Sequence, residues 1–189
     1  MHLVQVGRRI AVEARRPGLL FASLAVLAVL LDQASKLYIR STMPPSTSIP
    51  LIDGVFNITH VRNMGAAFGL MPGKQPLFIA TSLVVVVSVL GYWIVKRPTA
   101  RWLVTALGLV VGGAIGNLID RTSSTGLVTD FFDFALIDFP VFNIADCAIL
   151  FGVAMLVVWV LFAPEPEPEP EPDAEPRDTI VVVGDGVDE

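Results

Sequence analysis

The sequence has few of the residues that soluble enzymes use for metal binding and disulfides. It contains one cysteine, Cys147, so no intramolecular disulfide can form, and the cysteine count gives no indication of the compartment. It has two histidines and no H-E-x-x-H pattern, which argues against a zinc peptidase. Charged residues make up only 16% of the 189 residues, whereas hydrophobic residues make up 53%. This composition is typical of a membrane protein.

Acidic residues are sparse in most of the chain and concentrated at its end. Residues 1–163 carry twelve bases and eight acids, whereas residues 164–189 carry ten acids and one base. Proline alternates with glutamate in "PEPEPEPEPDAEP", and such a segment resists helix formation and repels itself. We therefore predict a disordered acidic Pro/Glu tail over residues 164–189 that is dispensable for the activity of the rest of the chain.

Four stretches approach or exceed the ~20 apolar residues that a helix needs to cross a bilayer. They are residues 18–39, 76–95, 102–119 and 142–162. The first follows four arginines and resembles a secretory signal peptide. However, Asp32, Gln33 and Lys36 come directly after its apolar run "LLFASLAVLAVLL", where small residues would mark a cleavage site. We therefore expect a retained first span and an all-α membrane protein with four transmembrane helices, whose membrane domain covers residues 18–163.

The basic residues predict the orientation of these spans. Residues 1–17 form a basic segment with four arginines, and the short loop between the second and third spans contains Lys96, Arg97 and Arg101. Lys and Arg accumulate on the cytoplasmic side, so both segments and both termini are predicted to be cytoplasmic. Loops 40–75 and 120–141 then face the opposite side. In the first of them, "GVFNITHVRN" predicts a small extracytoplasmic β-element.

Polar side chains occupy unusual positions within or beside the spans. Asp32 and Lys36 have the i, i+4 spacing of a helical ion pair, which fits either an interfacial pair that ends the first span or support for a polar site. Gly108, Gly112 and Gly116 form a small-xxx-small stripe that lets another helix approach closely. The other polar groups lie near the outer ends of the third and fourth spans: Asn117, Asp120, Arg121, Asp130, Asp133, Asp138, Asn143 and Asp146.

Asp146 is the most informative of these residues because it begins an apolar span. An ionisable group at membrane depth is costly and usually has a partner or a function. Asn143 precedes it by three residues, hence on the same face of any helix there. Two carboxylates that meet at low dielectric share a proton, so one can deprotonate a water while the other protonates a carbonyl oxygen. This is the chemistry of an aspartic protease, with Asp130 and Asp120 as alternatives for the second carboxylate.

Other catalytic groups fit less well. A Ser/Lys peptidase requires a serine that faces the lysine, but Ser35 and Lys36 are neighbours, about 100° apart around a helix. Ser123 and Ser124 remain formal alternatives. Cys147 has no histidine placed to activate it.

Two other functions are compatible with buried polar residues. A small transporter would use them to carry ions, but such proteins show internal repeats with broken helices, and we find none. An enzyme that acts on lipids would need a basic cluster for phosphate, for which Arg62 and Arg121 are the candidates.

Five blocks of the sequence, in order, resemble lipoprotein signal peptidase (signal peptidase II), a family of bacterial membrane aspartyl peptidases. They are "DQASK" (32–36), "RNMGAAFGL" (62–70), "GGAIGNLIDR" (112–121), "VTDFFDF" (128–134) and "FNIADCAI" (142–149). The resemblance covers most of residues 18–162, but neither the first ~15 residues nor the acidic tail.

The resemblance implies a catalytic dyad of Asp130 and Asp146, and so favours Asp130 over Asp120. It also implies supporting roles for Asp32, Lys36, Asn63, Gly65, Asn117, Asp120, Arg121 and Asn143. These enzymes use no metal or cofactor. The glycine stripe of the third span would leave room for a substrate helix, and the loop "NMGAAFG" would close over it.

The same resemblance implies the substrate and the location. These enzymes remove the signal peptide from prolipoproteins whose cysteine carries diacylglyceryl, cutting just before that cysteine. We therefore expect prolipoprotein and membrane lipids as partners, no nucleic acid, and a monomer. We expect it in the bacterial cytoplasmic (inner) membrane, with the active site near the extracytoplasmic face.

Overall fold

The computed structural model describes residues 2–64, 74–137 and 139–163, with side chains from residue 16 onward. Four α-helices lie within these ranges: α1 His2–Thr42, α2 Gln75–Lys96, α3 Arg101–Thr122 and α4 Ile144–Phe162. Each contains a stretch long and apolar enough to cross a membrane, which in α1 is Arg16–Thr42. The prediction of four transmembrane helices is confirmed. Gly65, Asp138 and the segment 164–189 lie outside the described residues.

The helices differ from the predicted spans mainly at their ends. α1 continues to Thr42, three residues beyond the predicted span, and α2 begins at Gln75 with Pro76 in its first turn, where a missing N–H costs nothing. α4 begins at Ile144, two residues later than predicted. The reason is that Phe142 pairs with Phe132 in an antiparallel bridge, so the chain is still extended before the helix starts.

α3 is the central helix of the bundle, because it packs against α1, α2 and α4. A Cβ on Gly112 would lie 2.7 Å from the carbonyl oxygen of Ala25 in α1. On the other side, a Cβ on Gly113 would clash with the carbonyl oxygen of Ala145 in α4. The glycine stripe is thus filled by α1. The expectation that it leaves room for a substrate helix is wrong, because the neighbouring backbone already occupies that space.

α2 is the most exposed of the four helices. None of its 22 residues is buried, although its sequence is strongly apolar. Such an apolar surface suits contact with lipid. Because α2 packs mainly on α3, grooves remain on both of its sides.

A three-stranded antiparallel sheet lies at one end of the bundle. Its strands are β1 Ser48–Ile52, β2 Phe56–Asn63 and β3 Val128–Asp133, in the order β1-β2-β3, and a 3₁₀ helix, Ala135–Ile137, follows β3. The small β-element predicted in the first loop is confirmed by β1 and β2. β3 was not predicted, because it comes from the second loop and pairs with a strand 65 or more residues before it.

The register of β2 and β3 brings two polar residues together. Val61 lies opposite Asp130, and Asn63 lies opposite Val128. Asn63 and Asp130 are therefore diagonal neighbours on one face of the sheet. Phe131, the next residue along β3, packs against Ile39 and Met43 at the end of α1 and so fixes the strand on the bundle.

Candidate active site

The site lies where β2, β3, α3 and the start of α4 meet. Asn143 is not within α4, as the sequence analysis assumed, but is its N-cap with extended backbone. Its side-chain Oδ1 accepts a hydrogen bond from the backbone N–H of Asp146 at 3.0 Å, and its own N–H donates to Oδ2 of Asp146 at 3.1 Å. This reciprocal capping box satisfies two otherwise unpaired donors and holds the Asp146 carboxylate at the helix start.

Asn143 also connects Asp146 to Asp130. Its Nδ2 donates to Oδ1 of Asp130 at 2.6 Å, while Asn63 Nδ2 donates to the other carboxylate oxygen at 2.9 Å. Asp130 is only 2% exposed. One amide side chain therefore touches both the Asp130 carboxylate and the turn that carries Asp146.

Burial is the main reason that the pKa of Asp130 rises from its ordinary value to about 7. The negative charge of Asp146 raises it further, whereas the hydrogen bonds from Asn63 and Asn143 oppose the rise. Asp130 therefore binds a proton near neutral pH much more readily than an exposed aspartate.

Asn117 of α3 holds Asp146 from the other side. Its Nδ2 donates to Oδ1 of Asp146 at 2.7 Å. Its Oδ1 accepts from Lys36 Nζ at 3.0 Å and from Asn143 Nδ2 at 3.2 Å. Because an ammonium has only donors, its contact with Oδ1 fixes the amide so that the NH₂ faces Asp146.

Lys36 lies at the centre of a buried charge network. Its Nζ is 2.9 Å from Oδ2 of Asp32 and 2.8 Å from Oδ2 of Asp120, and the side chains of Lys36 and Asp32 are fully buried. Asp32 also accepts from the backbone N–H of Ala145, at 3.0 Å, and so ties α1 to the first turn of α4. Because both side chains are fully buried, the Asp32–Lys36 pair does not fit the interpretation of an interfacial ion pair that ends the first span.

Sequence reasoning overlooked Arg40, which contacts the same network. Its Nη2 donates to Oδ1 of Asp120 at 3.3 Å. Arg40 follows Lys36 by four residues, so the helical spacing was a signal that would have found it.

Arg121 lies beside a groove that leads to Asp146 between α2 and α4. This groove has a volume of about 230 Å³, and its lining comes from three helices: Phe78, Thr81, Ser82, Val85, Ala114, Asn117, Arg121, Asp146 and Ile149. The Arg121 guanidinium lies 5.5 Å from the ring centroid of Phe78, a cation–π contact. The residues of α2 in this lining were not singled out from the sequence, because nothing in an apolar helix marks the side that borders a groove.

Two other aspartates that the sequence offered, Asp120 and Asp133, have polar partners of their own. Asp120 contacts Lys36 and Arg40, whereas Asp133 accepts hydrogen bonds from Thr59 at 2.6 Å and from Asn57 at 3.3 Å. Gly65 and Asp138 are outside the described residues.

The hydroxyls of Ser123 and Ser35, two of the alternative nucleophiles, donate hydrogen bonds to backbone carbonyls rather than to a basic side chain. The Ser123 hydroxyl donates to the backbone oxygen of Asp120 at 2.7 Å, and Ser35 donates to that of Asp32 at 2.8 Å. His60 is buried and hydrogen-bonded through Nδ1 to the Met43 carbonyl at 2.8 Å. Within the described ranges, no three His, Cys, Asp or Glu side chains form a group of the kind that holds a metal.

Most of the chain is similar to known proteins of one family. The family model for signal peptidase (SPase) II matches residues 24–162. The lipoprotein signal peptidase of Halothermothrix orenii is 42% identical over 135 residues, which cover 71% of this chain and 90% of the relative. That of Brevibacillus brevis is 46% identical over 138 residues, with the same coverage of both chains.

A solved structure is also similar. It is a bacterial membrane enzyme determined by the in meso method at 2.3 Å resolution, with a TM-score of 0.71 and 34% sequence identity. The match covers 80% of this chain and 94% of that one. Together with the four apolar helices, these matches indicate a bacterial multi-pass membrane peptidase and confirm the resemblance found in the sequence blocks. The chain therefore belongs to the signal peptidase II family.

Proposed function

We propose that this chain is a membrane aspartyl endopeptidase that removes the signal peptide from diacylglyceryl-modified prolipoproteins and cuts just before the lipidated cysteine. Family membership supports a peptidase that acts on prolipoproteins. The observation that carries the aspartyl mechanism is the Asn143 side chain, which contacts Asp130 directly and caps the turn that presents Asp146.

In the proposed mechanism, Asp130 holds the proton and Asp146 is ionised before reaction. Asp130 is the more deeply buried of the two, and its pKa is raised to about 7. Asp146 instead accepts hydrogen bonds from Asn117 and from the backbone N–H of Asn143, the N-cap of α4. Asp146 itself lies in the first turn of α4, where the helix dipole favours negative charge.

The reaction uses these two states in turn. Asp146 takes a proton from a water, whose oxygen attacks the scissile carbonyl carbon, and Asp130 gives its proton to the carbonyl oxygen. The tetrahedral intermediate then collapses: Asp130 recovers a proton from a hydroxyl, the carbon–nitrogen bond breaks, and the leaving amine takes the proton from Asp146. The products are the free signal-peptide carboxyl group and the new amino terminus, and both aspartates return to their starting states.

Lys36 is a positioning residue in this proposal. It touches neither carboxylate of the dyad, but its ammonium orients the Asn117 amide that donates to Asp146. Asp32 and Asp120 compensate the charge of Lys36 and hold it in place. Asn63, Asn143 and Arg121 line or contact the dyad, and we propose that Gly65 belongs to the same site.

The groove between α2 and α4 suits a substrate that is already in the lipid. It is bordered by apolar side chains of both helices and reaches Asp146 at its end. A signal helix that lies against the exposed surface of α2 would bring its peptide bond to the dyad without crossing the bundle. Arg121, at the same groove, provides a positive charge for the carbonyl or lipid oxygens of the substrate.

We further propose the topology predicted from the basic residues. The sheet and the dyad lie on the extracytoplasmic side of the inner membrane, and both termini are cytoplasmic. The membrane domain, residues 18–163, then lies between the basic segment 1–17 and the acidic tail. We also propose that the protein acts as a monomer.

The test is cleavage of a diacylglyceryl-modified prolipoprotein by purified protein in detergent, followed by the gel shift on loss of the signal peptide. Wild type should cleave, with or without a chelator, and Asp130→Asn and Asp146→Asn should not. Asp133→Asn is a matched control, since Asp133 lies in the same strand but contacts Thr59 and Asn57. Cleavage by both folded dyad variants would refute the assignment and direct attention to Asp120. A well-folded wild type that never cleaves would favour a transporter.

A further inference from the structure

A second groove lies on the other side of α2, at the far end of the helix. Its volume is about 480 Å³, and its lining comes from the beginning of the spanning part of α1 and the end of α2: Pro17, Gly18, Trp93, Ile94, Arg97, Pro98 and Thr99. α2 has 22 residues and rises ~1.5 Å per residue, so this groove is roughly 30 Å from the end of α2 beside the dyad. It therefore has no part in the proposed cleavage.

The walls of this groove are apolar and well defined. The Trp93 indole stacks on Phe21 of α1, with ring centroids 4.5 Å apart, and so forms the floor between the two helices. A Cβ on Gly18 would lie 3.9 Å from Trp93, so the glycine leaves space beside the indole. Because Ile94 is exposed on the outer surface of α2, the groove opens toward lipid.

The rim of the groove is basic. Arg97 lines it directly, and Arg16, Lys96 and Arg101 are exposed nearby in the chain. No acidic residue occurs in residues 14–31, 75–119 or 147–163, the parts of the four helices that approach this end. Among the side chains that the structure describes, Arg97 and these neighbours therefore have no acidic partner on the surrounding helices; Glu13, earlier in α1, lies before the first described side chain.

Arg97 adopts a backbone conformation that an arginine rarely takes. It is the C-cap of α2 with φ 44° and ψ 55°, and its N–H donates to the Trp93 carbonyl at 3.0 Å. Glycine would adopt this left-handed conformation at lower cost. Despite this cost, the chain has an arginine at this position. Its guanidinium can donate two parallel hydrogen bonds to a phosphate.

From this combination we infer that the groove binds one anionic phospholipid, with its phosphate on Arg97 and an acyl chain along Trp93 and Ile94. Basic pockets between helices on the cytoplasmic side are a known way to hold anionic head groups. The inference does not depend on the proposed cleavage reaction. The other source of negative charge is the acidic tail of the chain itself, and the experiment separates the two.

The experiment is native mass spectrometry of the delipidated full chain in detergent, titrated with phosphatidylglycerol or with phosphatidylcholine of the same acyl chains. We expect one tightly bound phosphatidylglycerol and weaker phosphatidylcholine. Arg97→Gln should weaken phosphatidylglycerol binding by about fivefold or more. Lys96→Gln is the matched control, because it removes the same charge one residue away but does not line the groove.

Two more variants keep the inference testable. Gly18→Leu fills the space beside Trp93 without changing any charge and should also weaken lipid binding, even if Arg97→Gln folds poorly. Truncation after Ala163 should leave lipid binding unchanged. Equal losses in the Arg97 and Lys96 variants, equal binding of both lipids, or lipid that binds only after truncation would each overturn the inference, the last by indicating that the tail occupies the groove. Cleavage in detergent should be normal in all of these variants, so failure here is distinct from failure of the peptidase assignment.

Discussion

Replacement of Lys36 by methionine tests the buried charge network most directly. Methionine has a similar length but no donor, so Asp32 and Asp120 would lose the ammonium that lies 2.9 and 2.8 Å from their oxygens. Lys36 and Asp32 are completely buried, and Asp120 is 1% exposed. Removal of one partner from a buried ion pair typically costs ~3–5 kcal/mol, because the remaining charge is left without compensation. We expect Lys36→Met to lower the free energy of unfolding by that amount.

Arg40→Met provides the matched control. Arg40 contacts the same Asp120 carboxylate at 3.3 Å, but its side chain is 35% exposed. Solvent screens such a contact, so its loss should cost at most ~1 kcal/mol. The double variant Asp32→Asn/Lys36→Met removes one of the two uncompensated carboxylates and should recover ~0.5–3 kcal/mol relative to Lys36→Met alone.

The assay is unfolding of the purified protein in mixed micelles with increasing SDS, together with prolipoprotein cleavage by the folded fraction. Cleavage should fall in Lys36→Met because the Asn117 amide loses the contact that orients it toward Asp146. The reasoning would be refuted if Lys36→Met cost less than ~1 kcal/mol, or no more than Arg40→Met. It would equally be refuted if the folded Lys36→Met protein cleaved at the wild-type rate.

Three further predictions concern packing, pH and the tail. Gly113→Ala should destabilise the protein by ~1–3 kcal/mol through overpacking between α3 and α4, whereas Gly91→Ala, which meets nothing within 4 Å, should be neutral or stabilising in the same SDS unfolding assay. Cleavage should decline as the pH rises through about 7, where Asp130 loses its proton. Asn63→Ala should shift this decline to higher pH, because the lost hydrogen bond favoured the ionised form of Asp130. A pH profile that is unchanged or shifted to lower pH would contradict this prediction. Truncation after Ala163 should leave cleavage intact, and a folded but inactive truncated protein would refute the prediction that the tail is dispensable.

The sequence was sufficient to predict the features that depend on local composition. Four apolar stretches predicted four helices, because the requirement to satisfy backbone hydrogen bonds in lipid leaves few other structures. The strand β2 was also predictable, since "GVFNITHVRN" has β-branched and aromatic residues between turn signals, whereas β1 lies before this stretch. The five sequence blocks were specific enough to indicate the family without any knowledge of distances.

The tertiary structure decided which segments, far apart in the chain, come into contact. β3 forms because β2 is there to pair with it, and only this register places Asn63 beside Asp130. Asn143 acts as a helix cap rather than a helical residue because Phe142 is held in an extended bridge to the sheet.

The choice between Asp120 and Asp130 as the second carboxylate, which the residues alone left open, illustrates the same point. Asp120 and Asp130 are both aspartates beside apolar segments, but Asp120 is neutralised by Lys36 and Arg40, whereas Asp130 meets Asn143 at the start of α4. The sequence determined which residues were polar in an apolar chain. Which of them meet was decided by packing, because a charge at low dielectric is stabilised only by the partner that the fold brings within a few ångströms.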